Sequence, residues 1–272
     1  GILPWFPQAR FLPAEDILDI KGKSGNARDG APVRIAVPVL RRIANFDDLD
    51  PLAGETDVDV TLVEAGDVIP ADADLILLPG SKSTISDLTF LRGQGWDIDI
   101  AANLRRGGMV MGLCGGYQML GTKLDDPDGV EGPAGDTPGL GHLGVETVLA
   151  GEKRLTQVTA HANAFDVPVR GYEIHMGRTG GPDCDRPFLT LDGRPEGAVS
   201  DDGTVIGTYL HGIFADDGFR RAFLDSLAAR RGREGAFGEV DFDARVDATL
   251  DGLAAHISAN LDLDAFAGIA GL

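Results

Sequence analysis

The chain has few of the residues that define several protein classes. Only two of its 272 residues are cysteine, which excludes a disulfide framework as the basis of its fold. It has no run of about 18 apolar residues, and its first segment lacks the basic and apolar regions of a secretory signal. Basic residues are also scarce, with 24 Lys and Arg against 43 Asp and Glu. We therefore expect a cytoplasmic protein with no membrane or nucleic-acid partner.

The first half of the chain alternates short apolar segments with helix-like segments. The candidate strands are 33–37, 59–63, 73–78 and 109–113. A helix is predicted over 97–106, with Ile98, Ala101 and Leu104 on one buried face. This alternation predicts an α/β fold of three layers, in which a mostly parallel sheet has helices on both faces.

The second half has shorter strand candidates and a helical end. The strand candidates are 144–149, 154–160, 169–176 and 196–209. Apolar stripes at 219–227 and 246–261 predict two C-terminal helices that pack against the sheet. We interpret residues 1–30 as the remnant of a preceding domain plus a linker, 31–217 as the main domain, and 218–272 as a C-terminal helical extension packing on it.

The segment 112–116, GLCGG, joins a predicted buried strand to a helix. Small residues around Cys114 permit the sharp strand–turn–helix of a nucleophile elbow. A helix N-terminus favours a thiolate, which is the attacking species in acyl transfer. Cys114 is therefore the predicted nucleophile. Cys184 is flanked by two aspartates, which disfavour a thiolate, and we interpret it as a loop residue.

A cysteine nucleophile needs a general base and donors for the oxyanion. His211 follows a strand candidate and precedes a glycine, which predicts it as the base, and His175 is the alternative. The turn after the strand 73–78 reads LPGSKST and offers backbone N–H groups beside the Cys114 strand. The amides of Gly80 and Gly115 are the predicted oxyanion donors.

Two segments resemble the end of a phosphate-binding loop, but neither completes the pattern G-x-x-x-x-G-K-[ST]. For Gly22-Lys23-Ser24, the position of the first glycine holds Ile17. For Lys82, the preceding glycine is replaced by Ser81. We therefore predict no ATP site, no metal site and no cofactor in this chain.

Five segments together resemble the class I (triad-type) glutamine amidotransferases, and within them the cobyric acid synthase branch. They are LPGSKSTISDLTFLR, GLCGGYQMLG, GPAGDTPGLG, GYEIHMGRT and GTYLHGIF, in the same order and spacing. The resemblance covers nearly the whole chain and implies that Cys114 is the nucleophile and His211 the base. Residues 3–16, LPWFPQARFLPAED, resemble the end of the ATP-dependent synthetase domain of that branch.

The chain departs from the wider superfamily beside the histidine. Most triad enzymes have a glutamate two residues after it, but Ile213 occupies that position here. The group that orients His211 is therefore open, and it could be a backbone carbonyl, water or a carboxylate distant in sequence. The candidate carboxylates are Glu173, Asp216 and Asp217. The candidates for binding glutamine or orienting His211 are Tyr172, Glu173 and His175.

The resemblance also implies an activity and partners. The glutaminase part would hydrolyse glutamine through a Cys-thioester and supply ammonia to an ATP- and Mg²⁺-dependent synthetase domain, normally N-terminal in the same polypeptide. That domain would amidate the b, d, e and g carboxylates of the corrinoid adenosylcobyrinic acid a,c-diamide in cobalamin biosynthesis. The alternatives are the glutaminase of cobyrinic acid a,c-diamide synthase, that of the lipid II amidotransferase, and a catalytically silent docking module.

The different settings of the two cysteines predict selective labelling. Electrophilic glutamine analogues should modify Cys114 and spare Cys184, because only the first lies in an elbow that favours a thiolate. Peptide mass spectrometry after a short exposure measures both sites, and Cys114→Ser is the control that should remain unlabelled. Equal labelling of the two cysteines would contradict the assignment.

Overall fold

The computed structural model describes residues 2–13, 30–151, 154–238 and 240–271. Most of the predicted linker, including residues 22–24, lies outside the described residues. The strands are β1 (Val33–Pro38), β2 (Ile43–Ala44), β3 (Val58–Val63), β4 (Leu75–Leu78), β5 (Gly80–Ser81), β6 (Met109–Leu113), β7 (Lys123–Asp126), β8 (Gly135–Pro138), β9 (Glu146–Val148), β10 (Arg154–Ala162), β11 (Val167–His175), β12 (Arg178–Gly180), β13 (Leu189–Leu191), β14 (Arg194–Glu196), β15 (Ala198–Val199), β16 (Val205–Thr208) and β17 (Leu210–His211). The helices are α1 (Asp50–Ala53), α2 (Thr84–Gly93), α3 (Trp96–Arg105), α4 (Gly115–Leu120), α5 (Asp217–Arg230), α6 (Phe242–Asn260) and α7 (Leu263–Ala270). Short 3₁₀ turns cover Pro7–Phe11, Phe46–Asp48, Pro182–Asp185 and Ile213–Ala215.

A six-stranded sheet lies at the centre, with strand order β15-β16-β6-β4-β1-β3. All its pairings are parallel except that of β15 with β16. Alternate residues of β1, β4 and β6 enter two separate hydrophobic clusters, as the two-residue period of a strand requires. One cluster includes α1, α5 and part of a second sheet, and the other includes α2, α3 and α4. The predicted three-layer α/β fold is confirmed.

Smaller sheets surround the central one. The second sheet has five antiparallel strands in the order β14-β13-β10-β11-β17, the third has the order β12-β9-β7-β8, and β2 pairs with β5. The chain passes from the central sheet to the second sheet between Thr208, the last residue of β16, and Leu210, the first of β17. Because β16 lies beside β6, this short crossover brings the end of the Cys114 strand close to His211.

The predicted buried face of helix α3 is wrong. Ile98 is 68% exposed, whereas Trp96, Ile100 and Asn103 are fully buried. The helix begins at Trp96, and this large side chain determines which face turns inward, so the buried positions follow it at intervals of four and three residues. Asn103 can lie in the interior because its Nδ2 donates a hydrogen bond of 2.7 Å to the carbonyl of Ala73.

The two C-terminal helices pack differently. Phe219 and Phe223 of α5 lie in the central core, as predicted. The stripe of α6 is only half-buried, and it does not pack against the central sheet as predicted but contacts the first described segment. There the Phe6 and His256 rings lie 5.3 Å apart, and His256 Nε2 is 2.9 Å from the carbonyl of Pro4. Residues 2–13 supply the apolar surface that α6 covers. No helix of the described residues is long and apolar enough to span a membrane.

A buried ion pair joins α5 to the loop after α1. Arg220 Nε donates to Glu55 Oε1 at 2.6 Å, and both side chains are at most 2% exposed. The other guanidinium nitrogens donate to the carbonyls of Phe214 and Val240 at 2.8 and 2.6 Å. Removing one partner of a buried ion pair is costly, because the charge of the other partner remains buried without compensation.

Replacing Arg220 with Leu should therefore lower the free energy of unfolding by about 3–5 kcal/mol, because Glu55 would remain as a buried charge. The matched control is Arg34→Ala, which removes an exposed ion pair with Asp72 and should cost less than about 1 kcal/mol. Urea unfolding followed by circular dichroism measures both changes. Similar losses in the two variants would contradict this interpretation of the buried pair.

Candidate active site

Cys114 lies at a strained turn between β6 and α4. Its backbone has φ 51° and ψ −107°, a conformation that costs a non-glycine residue roughly 1–3 kcal/mol. Its N–H donates to the carbonyl of Thr208 at 2.8 Å, and its Sγ lies 3.6 Å from the carbonyl of Ile174. The thiol is free and partly exposed. This is the geometry of a nucleophile elbow, as the sequence predicts.

Two glycines make this turn possible. A Cβ at Gly112 would collide with the backbone of Gly116, and a Cβ at Gly116 would collide with the carbonyl of Leu78. Helix α4 therefore packs directly against the backbone of β4 and β6. Only glycine permits so close an approach, and this holds Cys114 at the carboxyl edge of the sheet.

His211 is fully buried and held by a carboxylate that no sequence pattern identifies. Its Nδ1 lies 2.7 Å from Asp48 Oδ2, and the N–H of Gly212 donates to Asp48 Oδ1 at 2.6 Å. The ionised carboxylate can only accept, so Nδ1 carries the proton and Nε2 is the nitrogen left for catalysis. That Nε2 is buried without a hydrogen-bond partner among the described residues.

Electrostatics around His211 favour the imidazolium form. Burial by itself lowers the pKa of His211, but the Asp48 carboxylate and Cys114 raise it, to about 10 overall. The Asp48 carboxylate thus stabilises the imidazolium that forms when His211 accepts the proton of the Cys114 thiol. The arrangement suits formation of a thiolate–imidazolium pair, the reactive state of a cysteine nucleophile.

The candidate orienting carboxylates Glu173, Asp216 and Asp217 do not hold His211. Glu173 pairs with Arg194 at 2.5 Å, and Asp217 pairs with Arg220 at 2.7 Å. Asp216 instead caps the N-terminus of α5. The orienting group is Asp48, 163 positions before His211, in the 3₁₀ turn that precedes α1. The only sequence signal was the acidic cluster in IANFDDLD, which has no periodicity or motif to identify one of its aspartates.

The other two candidates contact the histidine region in different ways. The Tyr172 ring stacks on His211 with centroids 5.4 Å apart, and its hydroxyl donates to Asp47 at 3.0 Å and accepts from Asn45 at 2.8 Å. His175 stacks on Tyr209 with centroids 3.8 Å apart, and burial lowers its pKa. Tyr172 therefore limits the rotation of the His211 ring, whereas His175 belongs to the neighbouring pocket.

The predicted oxyanion donors require one revision. The N–H of Lys82 donates to the carbonyl of Arg42 at 2.8 Å in the β2–β5 ladder, and hydrogen-bonded pairs alternate along such a ladder. We therefore infer that Gly80 donates to Ala44 and that the N–H of Ser81 points away from β2. The backbone nitrogen of Ser81 lies 3.0 Å from the position of a Cβ at Gly115.

Ser81 thus replaces Gly80 as the better candidate donor beside Gly115. The N–H of Gly115 opens helix α4 and has no acceptor within the helix. Gly80 has a different task, because a Cβ there would lie 3.2 Å from His211 Cε1. Its missing side chain leaves room for the imidazole.

A pocket of about 420 Å³ lies beside the elbow. Its walls include His175 and Tyr209. These residues directly follow Ile174 and Thr208, whose carbonyls contact Cys114. Charged residues of both signs line it: Glu173, Arg178, Arg194 and Glu196. The pocket can therefore accept a small polar molecule that carries both charges.

Comparisons with known proteins match this geometry. The family model for the CobB/CobQ-like glutamine amidotransferase domain matches residues 34–219. A cobyric acid synthase of Ruegeria sp. is 56% identical over 97% of this chain and 52% of its own length, and that of Paracoccus denitrificans matches equally. The chain thus spans about half the length of the curated relatives it matches.

Solved structures share the fold. The PurLQS structure from Thermotoga maritima has a TM-score of 0.55 at 20% identity, covering 72% of this chain and 99% of that one. A second structure, described as a glutamine amidotransferase, has a TM-score of 0.50 at 13% identity over 72% of this chain and 98% of that one. These likenesses confirm the class I glutamine amidotransferase fold.

Asp48→Asn should lower kcat for glutamine hydrolysis by roughly 10²–10⁴, close to the loss in His211→Ala, because an amide no longer stabilises the imidazolium or selects its tautomer. The matched controls are the amide variants at Asp216 and Asp217, which should change kcat little, and Glu173→Gln, at a candidate for binding glutamine, should chiefly raise KM. Steady-state kinetics, with folding checked by circular dichroism, compares the five proteins. A mild loss in Asp48→Asn beside a large loss in one control would assign the orienting role to that control residue.

Proposed function

The chain belongs to the CobB/CobQ-like glutamine amidotransferase domains, and on that premise we propose that Cys114 and His211 hydrolyse glutamine to glutamate and ammonia. The observation that carries the proposal is the strained elbow of Cys114 next to a buried histidine held by Asp48. A docking module without activity has no need of such strain. We therefore do not favour the docking alternative.

The proposed reaction has two stages. His211 Nε2 accepts the thiol proton, and Sγ attacks the carboxamide carbon of glutamine to form a tetrahedral oxyanion. The N–H groups of Ser81 and Gly115 stabilise this oxyanion. The imidazolium then returns the proton to the amide nitrogen, which leaves as ammonia. The thioester that remains is hydrolysed by a water molecule whose proton passes to His211 and then to the departing thiolate.

The charged pocket beside the elbow supports glutamine as the substrate. Glutamine carries an ammonium and a carboxylate group besides its side-chain amide, so it needs partners of both signs. Glu173 can accept from the ammonium group, and the guanidinium of Arg178 can bind the carboxylate. His175, with its pKa lowered by burial, adds a neutral wall. Glu173 and His175 therefore remain candidates for binding glutamine, whereas Tyr172 stacks on His211 and helps to orient it.

The partner is proposed from the relatives. The curated cobyric acid synthases extend to nearly twice the length of this chain, so we propose an ATP-dependent synthetase domain that uses the ammonia. ATP and Mg²⁺ would act in that domain. The amidated substrate would be adenosylcobyrinic acid a,c-diamide, at its b, d, e and g carboxylates.

In the complete polypeptide, Cys114→Ser should abolish glutamine-dependent amidation and leave ammonia-dependent amidation intact, because only the acyl-transfer step requires the thiol. Product formation measured by mass spectrometry with either nitrogen source separates the two activities. The control is Cys184→Ser, which should support both. Turnover with glutamine in the Cys114→Ser protein would refute the proposed nucleophile.

A further inference from the structure

The crossover at residues 208–210 serves both catalytic groups. The carbonyl of Thr208 accepts the N–H of Cys114, and His211 directly follows the crossover. Tyr209 belongs to neither the central nor the second sheet, so no neighbouring strand is available to pair with its backbone. Buried backbone N–H groups are costly without an acceptor, so another group must satisfy this one.

Glu196, the last residue of β14, supplies that acceptor. Its Oε1 accepts the N–H of Tyr209 and its Oε2 accepts the hydroxyl of Thr208, both at 2.7 Å. The Thr208 hydroxyl oxygen in turn accepts the N–H of Leu210 at 3.0 Å. One carboxylate and one hydroxyl thus take the place of a neighbouring strand. Glu196 is 5% exposed and takes no part in the proposed reaction.

We propose that Glu196 is a positioning residue whose ionised carboxylate holds the 208–210 crossover and thereby keeps His211 aligned with Cys114. This inference rests on the proposed glutaminase reaction. Both carboxylate oxygens face donors, and an ionised carboxylate is an acceptor at both. A glutamine side chain, or the protonated acid, presents one acceptor and one donor. It can still accept the N–H of Tyr209, but the Thr208 hydroxyl must then accept a hydrogen bond from it instead of donating one, so the carboxylate no longer fixes the direction of the Thr208 hydroxyl.

The protonation of Glu196 links this contact to pH. Burial raises the pKa of Glu196 to about 7, opposed by the hydrogen bonds from Tyr209 and Thr208, while the charge of Glu173 raises it and that of Arg194 lowers it. The titratable and charged groups around it in the pocket are Tyr117, Glu173, His175, Arg178, Cys184, Arg194 and Tyr209. Burial raises the pKa of Tyr117, Cys184 and Tyr209 and lowers that of His175, so Glu196 is the group expected to titrate near neutrality.

The raised pKa has opposite effects on stability and activity. The folded state favours the neutral acid, so the stabilisation from Glu196 is complete below its ordinary pKa and is lost as the pH rises through about 7. The carboxylate that orders the crossover forms over the same range. As the pH rises through about 7, the activity of the wild type should therefore increase, while its stability relative to a Glu196→Gln variant should decrease. A merely structural residue would move stability and activity together.

The test compares four variants of the 272-residue chain. Glu196→Gln should lower kcat roughly tenfold, less than the loss of the base itself, with KM changed by less than about twofold and the rise in activity near neutral pH removed. Thr208→Val, which lacks the hydroxyl, should show the same loss of activity. Thr208→Ser, which keeps the hydroxyl, should retain the wild-type activity. The control is Asp74→Asn, a buried carboxylate that accepts the N–H of Arg34 just before β4, at the opposite edge of the sheet. It should lower the melting temperature without altering the pH profile.

A second readout does not depend on glutamine turnover. The rate at which iodoacetamide alkylates Cys114, measured by mass spectrometry across the pH range, reports how His211 is aligned with the thiol. The rate should rise near neutral pH in the wild type and lose that rise in Glu196→Gln and Thr208→Val. A wild type that shows this rise but hydrolyses no glutamine would refute the proposed function and leave the role of Glu196 standing. Wild-type kinetics and an unchanged alkylation profile in Glu196→Gln would overturn the inference.

Discussion

The hydrogen bond from the N–H of Cys114 to the carbonyl of Thr208 is the contact on which the site depends. It extends the parallel pairing of β6 with β16 by one residue, up to the point where both strands end. From there the segment after β6 turns into α4, and the segment after β16 crosses to the second sheet. The proposed nucleophile and base thus both follow from the ends of the same pair of strands, so the backbone places them.

The proposed base differs from the usual triad arrangement in the source of its carboxylate. Ile213 stands where the wider superfamily has glutamate, and it is fully buried in the core. Asp48 reaches His211 from the turn before α1 and also accepts the N–H of Gly212, so one side chain holds both the imidazole and its backbone. A carboxylate from a distant part of the sequence can hold the imidazole equally well, because the hydrogen bond requires only the position and the charge of the carboxylate.

Buried carboxylates recur around the catalytic groups as acceptors for backbone that has left regular structure. Asp48 accepts from Gly212, Glu196 accepts from Tyr209, and Asp87 accepts from Arg42 as well as from the Ser81 hydroxyl. Each segment leaves a strand close to the reaction centre, where the ladder can no longer supply acceptors. Several of the acidic residues in this strongly acidic chain therefore serve the interior, while most of the others lie on the surface.

Local pattern determined much of this protein. The apolar runs identified the strands of the central sheet, and the glycines around Cys114 identified the elbow, because strand burial and sharp turns depend on residues close in sequence. The pattern did not identify the buried face of helix α3: it predicted that Ile98 is buried, whereas the structure buries Trp96. Asp48, Ser81 and Glu196 could be assigned only by the tertiary structure. Their roles depend on which backbone groups lack partners after the sheets have formed, and that follows from strand register and crossover rather than from any neighbouring residue.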